Sequence, residues 1–154
     1  MTDVRTVHLR SGMKEIPLCA RWRVEAFSGV IGTSLDDEIA SLERFVADNQ
    51  HQVAIVAERG GATAGTCLLV PSEIEPIHSV SPWLAGLYVS PEHRRHGVGS
   101  ALVRAIEDEA RARGHETLYL YTTGAVRYYE RLGWVAQDRV YWLGYPTVLM
   151  ARGL

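Results

Sequence analysis

The sequence predicts an α/β (α+β) fold built on a mixed sheet, and three observations carry that reading. Two apolar runs, QVAIVAE at 52–58 and TAGTCLLV at 63–70, flank RGGA and form an antiparallel hairpin with a glycine turn. Strand, glycine turn, amphipathic helix and strand then follow between 83 and 121, a crossover that forces those two strands to run parallel. A closing pair of strands lies around LGYP at 143–146. With 154 residues, 47% of them hydrophobic, the chain has the length of a single domain, 1–154, with its own core.

The elements follow in order. Val4, Thr6 and His8 alternate with Arg5, Val7 and Leu9, which predicts a first strand suited to a sheet edge. Ile16, Ala20, Val24 and Phe27 recur at helical spacing, and SGVIGTS at 28–34 interrupts them. Ser34 then opens a second helix, with Asp37 at its third helical position as in a capping box. The hairpin comes next, then a surface loop at 71–82 (PSEIEPIHSVSP) and a strand at 83–89. Val98, Leu102, Ala105 and Ile106 form the apolar stripe of a long helix, with a Glu107–Arg111 i,i+4 pair and Gly114 as its stop. A short strand at 117–121, a short helix at 125–132 closed by Gly133, and the last two strands from 134 to 150 complete the chain.

Composition narrows the function. A net charge of −2 gives no general attraction to nucleic acid or an anionic membrane. No uncharged run approaches ~18 residues and the N-terminus lacks a signal-peptide core, so the expected location is cytoplasmic. Cys19 and Cys67 stand alone, without CxxC or His/Cys clustering, which predicts two buried thiols, no disulfide and no metal.

The most pointed stretch is SPEHRRHGVGS at 90–100, two arginines and two histidines against a glycine turn that opens a helix. A helix N-terminus presents unpaired N–H groups and partial positive charge, and glycines let an anion approach the backbone. The third glycine of a dinucleotide fingerprint is replaced by Leu102, and no Gly-Lys-Ser/Thr follows for a nucleoside triphosphate. What remains is Arg94-x-x-Gly97-x-Gly99 after the strand end Leu87-Tyr88-Val89-Ser90-Pro91.

That segment resembles the acetyl-CoA motif of the GNAT family of N-acetyltransferases, Gln/Arg-x-x-Gly-x-Gly/Ala. AVRYYERLGW at 125–134 is similar to that family's Ala-x-x-Phe-Tyr-Glu-x-Leu-Gly-Phe segment. The resemblance implies a mostly antiparallel sheet whose central parallel strand pair is splayed and flanked by helices. It implies acetyl-CoA as co-substrate, with its pyrophosphate on the backbone of Arg95, His96, Gly97, Val98, Gly99 and Ser100 and charge from Arg94 and Arg95. The pantetheine arm would run along Leu87, Tyr88 and Val89, with the Val89 amide polarising the thioester carbonyl, and would reach Thr122, Ala125 and Tyr129. Thr122 stands where the family often has Asn.

By the same resemblance Tyr129 protonates the leaving thiolate. Ala125, Tyr128 and Leu132 share one helix face and read as core, leaving Tyr129 to face the cleft. No carboxylate lies on WLAGL at 83–87, where several relatives carry a base; Glu73, Glu75 and His78 in the preceding loop leave the base unassigned, His78 reading as a solvated loop histidine. The acceptor, a small amine or a peptide N-terminus, would be recognised by residues 27–35, the loop 71–82 and the aromatics Tyr141, Trp142 and Tyr145, with Gly29 and Gly32 allowing movement. Asp36, Asp37 and Glu38 read as helix-dipole chemistry. A homodimer is compatible with the resemblance. The competing readings are an acyl-CoA-binding module without turnover and a nucleotide-binding regulator using the turn alone.

Overall fold

In the computed structural model, which describes residues 3–31 and 34–154, one sheet organises the chain. The strands are β1 (Val4–His8), β2 (Val53–Arg59), β3 (Ala62–Val70), β4 (Trp83–Val89), β5 (Thr117–Thr122), β6 (Val135–Trp142) and β7 (Tyr145–Gly153), and the helices α1 (Ile16–Ile31), α2 (Leu35–Ala47), α3 (Val98–Ala112) and α4 (Val126–Arg131). The strand order is β1-β2-β3-β4-β5-β7-β6. Every neighbouring pair is antiparallel except β4–β5. The mixed sheet, the edge position of the first strand and the crossover through α3 all match the sequence reading.

The central strands are buried on both faces, which is why β2 reads as a nearly unbroken apolar run. Val53, Ile55 and Ala57 face α3, whose Leu102, Val103, Ile106 and Ala110 complete that core. Ala54 and Val56 face the other way, against Ile16, Cys19 and Ala20 of α1 and Leu42 and Val46 of α2. Turn chemistry fixes the hairpins: Gly60 (φ 59°) and Gly61 (φ 81°) close β2–β3, and Leu143 (φ 51°) and Gly144 (φ 84°) close β6–β7. Ser34 caps α2 by accepting the Asp37 N–H at 3.2 Å, as its spacing predicts.

Two expectations change. The interruption expected at 28–34 shows as a kink at Phe27 (φ −123°, ψ 24°), after which the helical backbone continues to Ile31; Gly32 lies outside the described residues. Glu107 does not pair with Arg111. It lies on the buried stripe, 2% exposed, and accepts from Arg104 at 2.9 Å and from the Trp134 indole at 3.0 Å. Arg111 turns instead to Asp108 at 2.8 Å. Burial decides this, because an ionised carboxylate inside the core needs donors at once.

One irregularity shapes the site. β4 meets β5 through a single register pair, Trp83↔Tyr119. Against β3, Leu68 pairs with Ala85 and Thr66 with Tyr88, so Gly86 and Leu87 oppose Cys67 alone, a bulge that bends the strand away. Gly86 supplies the φ of +62° that such a bend uses. Beyond Trp83 the two parallel strands are splayed.

Candidate active site

Two cavities open on the bent half of β4 and share Leu87. The first, about 430 Å³, sits over the glycine turn. The chain leaves β4 with the Ser90 N–H bonded to the Ala64 carbonyl at 2.9 Å, makes a tight turn at Pro91–His93, and enters left-handed conformation at Arg95 (φ 66°) and Gly97 (φ 80°). Gly97 is the N-cap of α3, where a side chain would be strained. The first helical bond runs from Ala101 N–H to the Gly97 carbonyl, so the N–H groups of 98–100 lack intrahelical acceptors.

Leu87, Val89, Arg94 and Arg95 line this cavity, as do Gly97, Val98, Gly99 and Ser100. His93 and Tyr128 join them without having been expected. His96 and the Tyr88 side chain do not line it. Tyr88 points to the opposite face, where it packs 5.2 Å from the Trp22 ring. Arg94 folds back, its Nε donating to the Val89 carbonyl at 3.0 Å with its guanidinium 5.8 Å over the Tyr88 ring. Because Ser90 N–H joins the β3 ladder, alternation turns the Val89 N–H away from β3 and toward the splayed gap.

The second cavity, about 380 Å³, lies beyond the bulge. Its walls are apolar, including Phe27, Leu42, Phe45, Ile74 and Trp142, and its charges are Arg23, Glu38 and Glu73. Arg23 Nε donates to Glu38 at 2.6 Å, and both side chains are largely buried. Glu38, read from sequence as helix-dipole chemistry, is thus mainly an ion-pair partner inside the cavity. Burial pushes the Glu73 carboxyl above its ordinary range, with the Ile74 N–H and the Arg23 charge acting in the other direction. Of the expected acceptor regions, residue 27, the loop at 72–74 and Trp142 reach the cavity. Tyr141 and Tyr145 do not line it, being 74% and 60% exposed near the β6–β7 turn.

The two tyrosines of α4 exchange expected environments in part. Tyr129 is the more buried, in the core cluster at 8% exposure, with its ring edge-on to Trp134 at 5.9 Å, yet it also lines the second cavity. Tyr128 only packs against that core and faces the glycine turn, its hydroxyl 3.4 Å from Ser100 Oγ. A Cβ on Gly99 would stand 2.7 Å from the same hydroxyl. Helix spacing failed here because α4 has only six residues and its face is set by where Trp134 and the sheet receive it. Burial raises the Tyr129 phenol well above its ordinary pKa, with smaller contributions from Cys67 and Tyr128.

Thr122 Oγ1 accepts the Ala125 N–H at 3.0 Å, which ties β5 to the start of α4. His78 is not simply solvated. Tyr121 Oη accepts from the Ile77 and His78 N–H groups at 3.1 and 3.2 Å, so its proton goes to His78 Nδ1 at 2.9 Å. His78 Nε2–H then donates to Asp138 at 2.8 Å, and that bond holds the Asp138 carboxyl below its ordinary range. These bonds fasten the loop at 71–82 to β5 and β6 and leave Glu73 as the loop carboxylate that lines the cavity. Sequence alone had no signal for Arg23 or for the burial of Glu38. Among the described residues no group of three or more His, Cys, Asp or Glu could hold a metal ion, and no helix is long and apolar enough to cross a membrane.

Comparison with known proteins fits this geometry. The chain is 31% identical over 113 residues to the probable N-acetyltransferase family 8 member 5 of Mus musculus, covering 71% of this chain and 49% of that one. It therefore spans about half the length of that relative. Its fold matches a ribosomal-protein-alanine N-acetyltransferase from Brucella melitensis with a TM-score of 0.77 at 19% identity, covering 97% of this chain and 99% of that one. It also matches an aminoglycoside 6'-N-acetyltransferase complexed with coenzyme A, with a TM-score of 0.75 at 16% identity, covering 97% and 96%. The profile of the Acetyltransferase (GNAT) family matches residues 16–134, the span holding the bent β4, the glycine turn and α4, and the chain belongs to that family.

Proposed function

We propose that this chain is an acetyl-CoA-dependent N-acetyltransferase that moves an acetyl group to a primary amine by direct transfer in a ternary complex. One observation carries the reading: the two cavities share Leu87 at the bent end of β4, one floored by unpaired backbone N–H groups and the other holding a carboxylate and a buried phenol.

The first cavity fits coenzyme A. Gly99 lines it without a Cβ, which leaves its backbone open to an anion. The N–H groups of 95–100 would hold the pyrophosphate, with Arg95 and the partly committed Arg94 adding charge. Acetyl-CoA supplies an activated acetyl group and a thiolate leaving group. The Val89 N–H would polarise the carbonyl where negative charge develops. Glu73 would take the proton of the attacking amine. Tyr129, whose proton burial retains, would return one to the sulfur; the same apolar surroundings make a thiolate more basic, so donor and acceptor shift together.

The thiols support direct transfer over an acyl-cysteine route. Cys67 is fully buried in the core, and burial pushes the Cys19 thiol up to about 12, so neither is placed to carry an acyl group. The test is acetyl-CoA with a panel of amines, amino acids and peptide N-termini, reading released thiol and the mass of the amide product. Coenzyme binding without any amide would leave an acyl-CoA-binding module instead. If Glu73 is the base, kcat/KM falls as pH drops through its raised pKa, above the usual carboxylate range, and Glu73→Gln loses that acidic limb together with ~10²-fold or more in rate.

A further inference from the structure

Arg23 reaches the second cavity from α1 and uses only part of its hydrogen-bonding capacity. Its Nε is committed to Glu38, while Nη1 and Nη2 have no partner among the described residues. Nη1 lies 3.0 Å from where a Cβ would stand on Gly86, so this end of the guanidinium rests against the bulge itself. The side chain is 18% exposed, the walls around it are mainly apolar, and besides Glu38 the carboxylate that feels its charge is Glu73 on the loop. A guanidinium stays charged at any working pH, and its planar pair of N–H groups matches a carboxylate better than any other common group. Glu38 holds the fork in place from behind.

Resting on the acetyltransferase reading, we propose that the acceptor is a free α-amino acid with an apolar side chain, its carboxylate held by Nη1 and Nη2 of Arg23. The placement selects this class on three counts. The acceptor nitrogen must come to the bent end of β4, and the fork touches that same bend, so amine and carboxylate have to be carried by the same carbon. Phe27, Phe45, Ile74 and Trp142 then offer an apolar surface to the side chain. A polyamine would bring a second cation toward Arg23, and a peptide N-terminus would offer it a neutral amide, so both use the fork poorly.

The experiment compares L-phenylalanine, L-phenylalaninamide and phenethylamine, three amines that differ at the carboxylate. Binding is measured by calorimetry on the protein saturated with coenzyme A, and turnover with acetyl-CoA. L-Phenylalanine should bind, and be acetylated, roughly 10- to 100-fold better than the other two, the range expected for hydrogen bonds to a charged group. Arg23→Lys, which keeps the charge and loses the fork, should erase most of that preference. The double change Arg23→Met with Glu38→Gln removes both halves of the ion pair and should erase it wholly, with circular dichroism checking the fold. Equal use of all three amines overturns the amino-acid inference and leaves the acetyltransferase reading standing. Arg23-dependent binding of L-phenylalanine without amide formation supports the site and overturns the transferase reading. L-Phenylalanine that neither binds nor reacts overturns the inference.

Discussion

Among the described residues, the cavity over the glycine turn draws nine of its ten lining residues from one stretch, 87–100, whereas the cavity beyond the bulge gathers its lining from α1, α2, β3, β4, β5, α4, β6 and the loop after β3. A site made by contiguous backbone must satisfy turn and capping rules, and those rules leave glycines at fixed offsets. A site made by side chains from many elements satisfies only packing and charge balance, which any number of sequences can do. The comparison can be broken wherever a change in one cavity acts as the rule for the other requires.

The largest effect is expected in the dispersed cavity. Glu38→Ala leaves Arg23 buried without its ion-pair partner and should cost about 3–5 kcal/mol of stability, measured by denaturant unfolding. The paired change Arg23→Met with Glu38→Gln should recover much of that loss, since no charge is then stranded. A Glu38→Ala variant as stable as the parent would mean that the pair is solvated, and the cavity far wetter than its walls suggest.

Tyr129→Phe comes next. It keeps the ring against Trp134 and removes the proton, so kcat should fall by ~10²-fold or more with coenzyme affinity nearly unchanged. The pH consequence follows from the raised phenol pKa. The folded state holds this proton more tightly than the unfolded chain, so the associated stability is fully present below the unfolded pKa and is lost as pH rises through the folded one. Tyr129 therefore contributes no basic limb near pH 10, and a limb there that vanishes in Tyr129→Phe would show a solvated hydroxyl.

Much of the fold and one of the two cavities were legible for related physical reasons. The glycine turns at 60–61 and 143–144 and the Ser34 cap each satisfy a local rule that is written in adjacent residues. The splay of β4 from β5 was expected only through the family resemblance, although Gly86 in an apolar strand is a local mark of the bulge that causes it. Arg23 and Glu38 carry no such mark, because they are fifteen positions apart and meet only when α1 packs on α2. Glu107 misled for the opposite reason: its spacing to Arg111 satisfied a surface rule on a face that the fold buries.

The turn should respond as backbone. Gly97→Ala puts a side chain at φ 80°, which should cost about 1–2 kcal/mol of stability and weaken coenzyme A binding by distorting the N–H groups that follow. Calorimetry with coenzyme A on the folded variant checks it. Full affinity would mean that the basic side chains, rather than the backbone, hold the anion.

The smallest effect is expected from Tyr128→Phe, and it sharpens the contrast between the cavities most finely. The hydroxyl makes a long contact of 3.4 Å to Ser100, so its loss should change stability by no more than ~1 kcal/mol. It also crowds the space at Gly99, where a Cβ would come within 2.7 Å, so removing it gives the turn room rather than taking support away. Coenzyme affinity should therefore stay within a few-fold and kcat should not move. A drop in affinity of ~10-fold would assign a side-chain hydroxyl to the coenzyme, and the turn would no longer be a purely backbone site. A fall in kcat matching the one expected for Tyr129→Phe would move the proton donor one residue along α4. It would then lie on the coenzyme side of the bulge, and Tyr129 would keep only its place in the core beside Trp134.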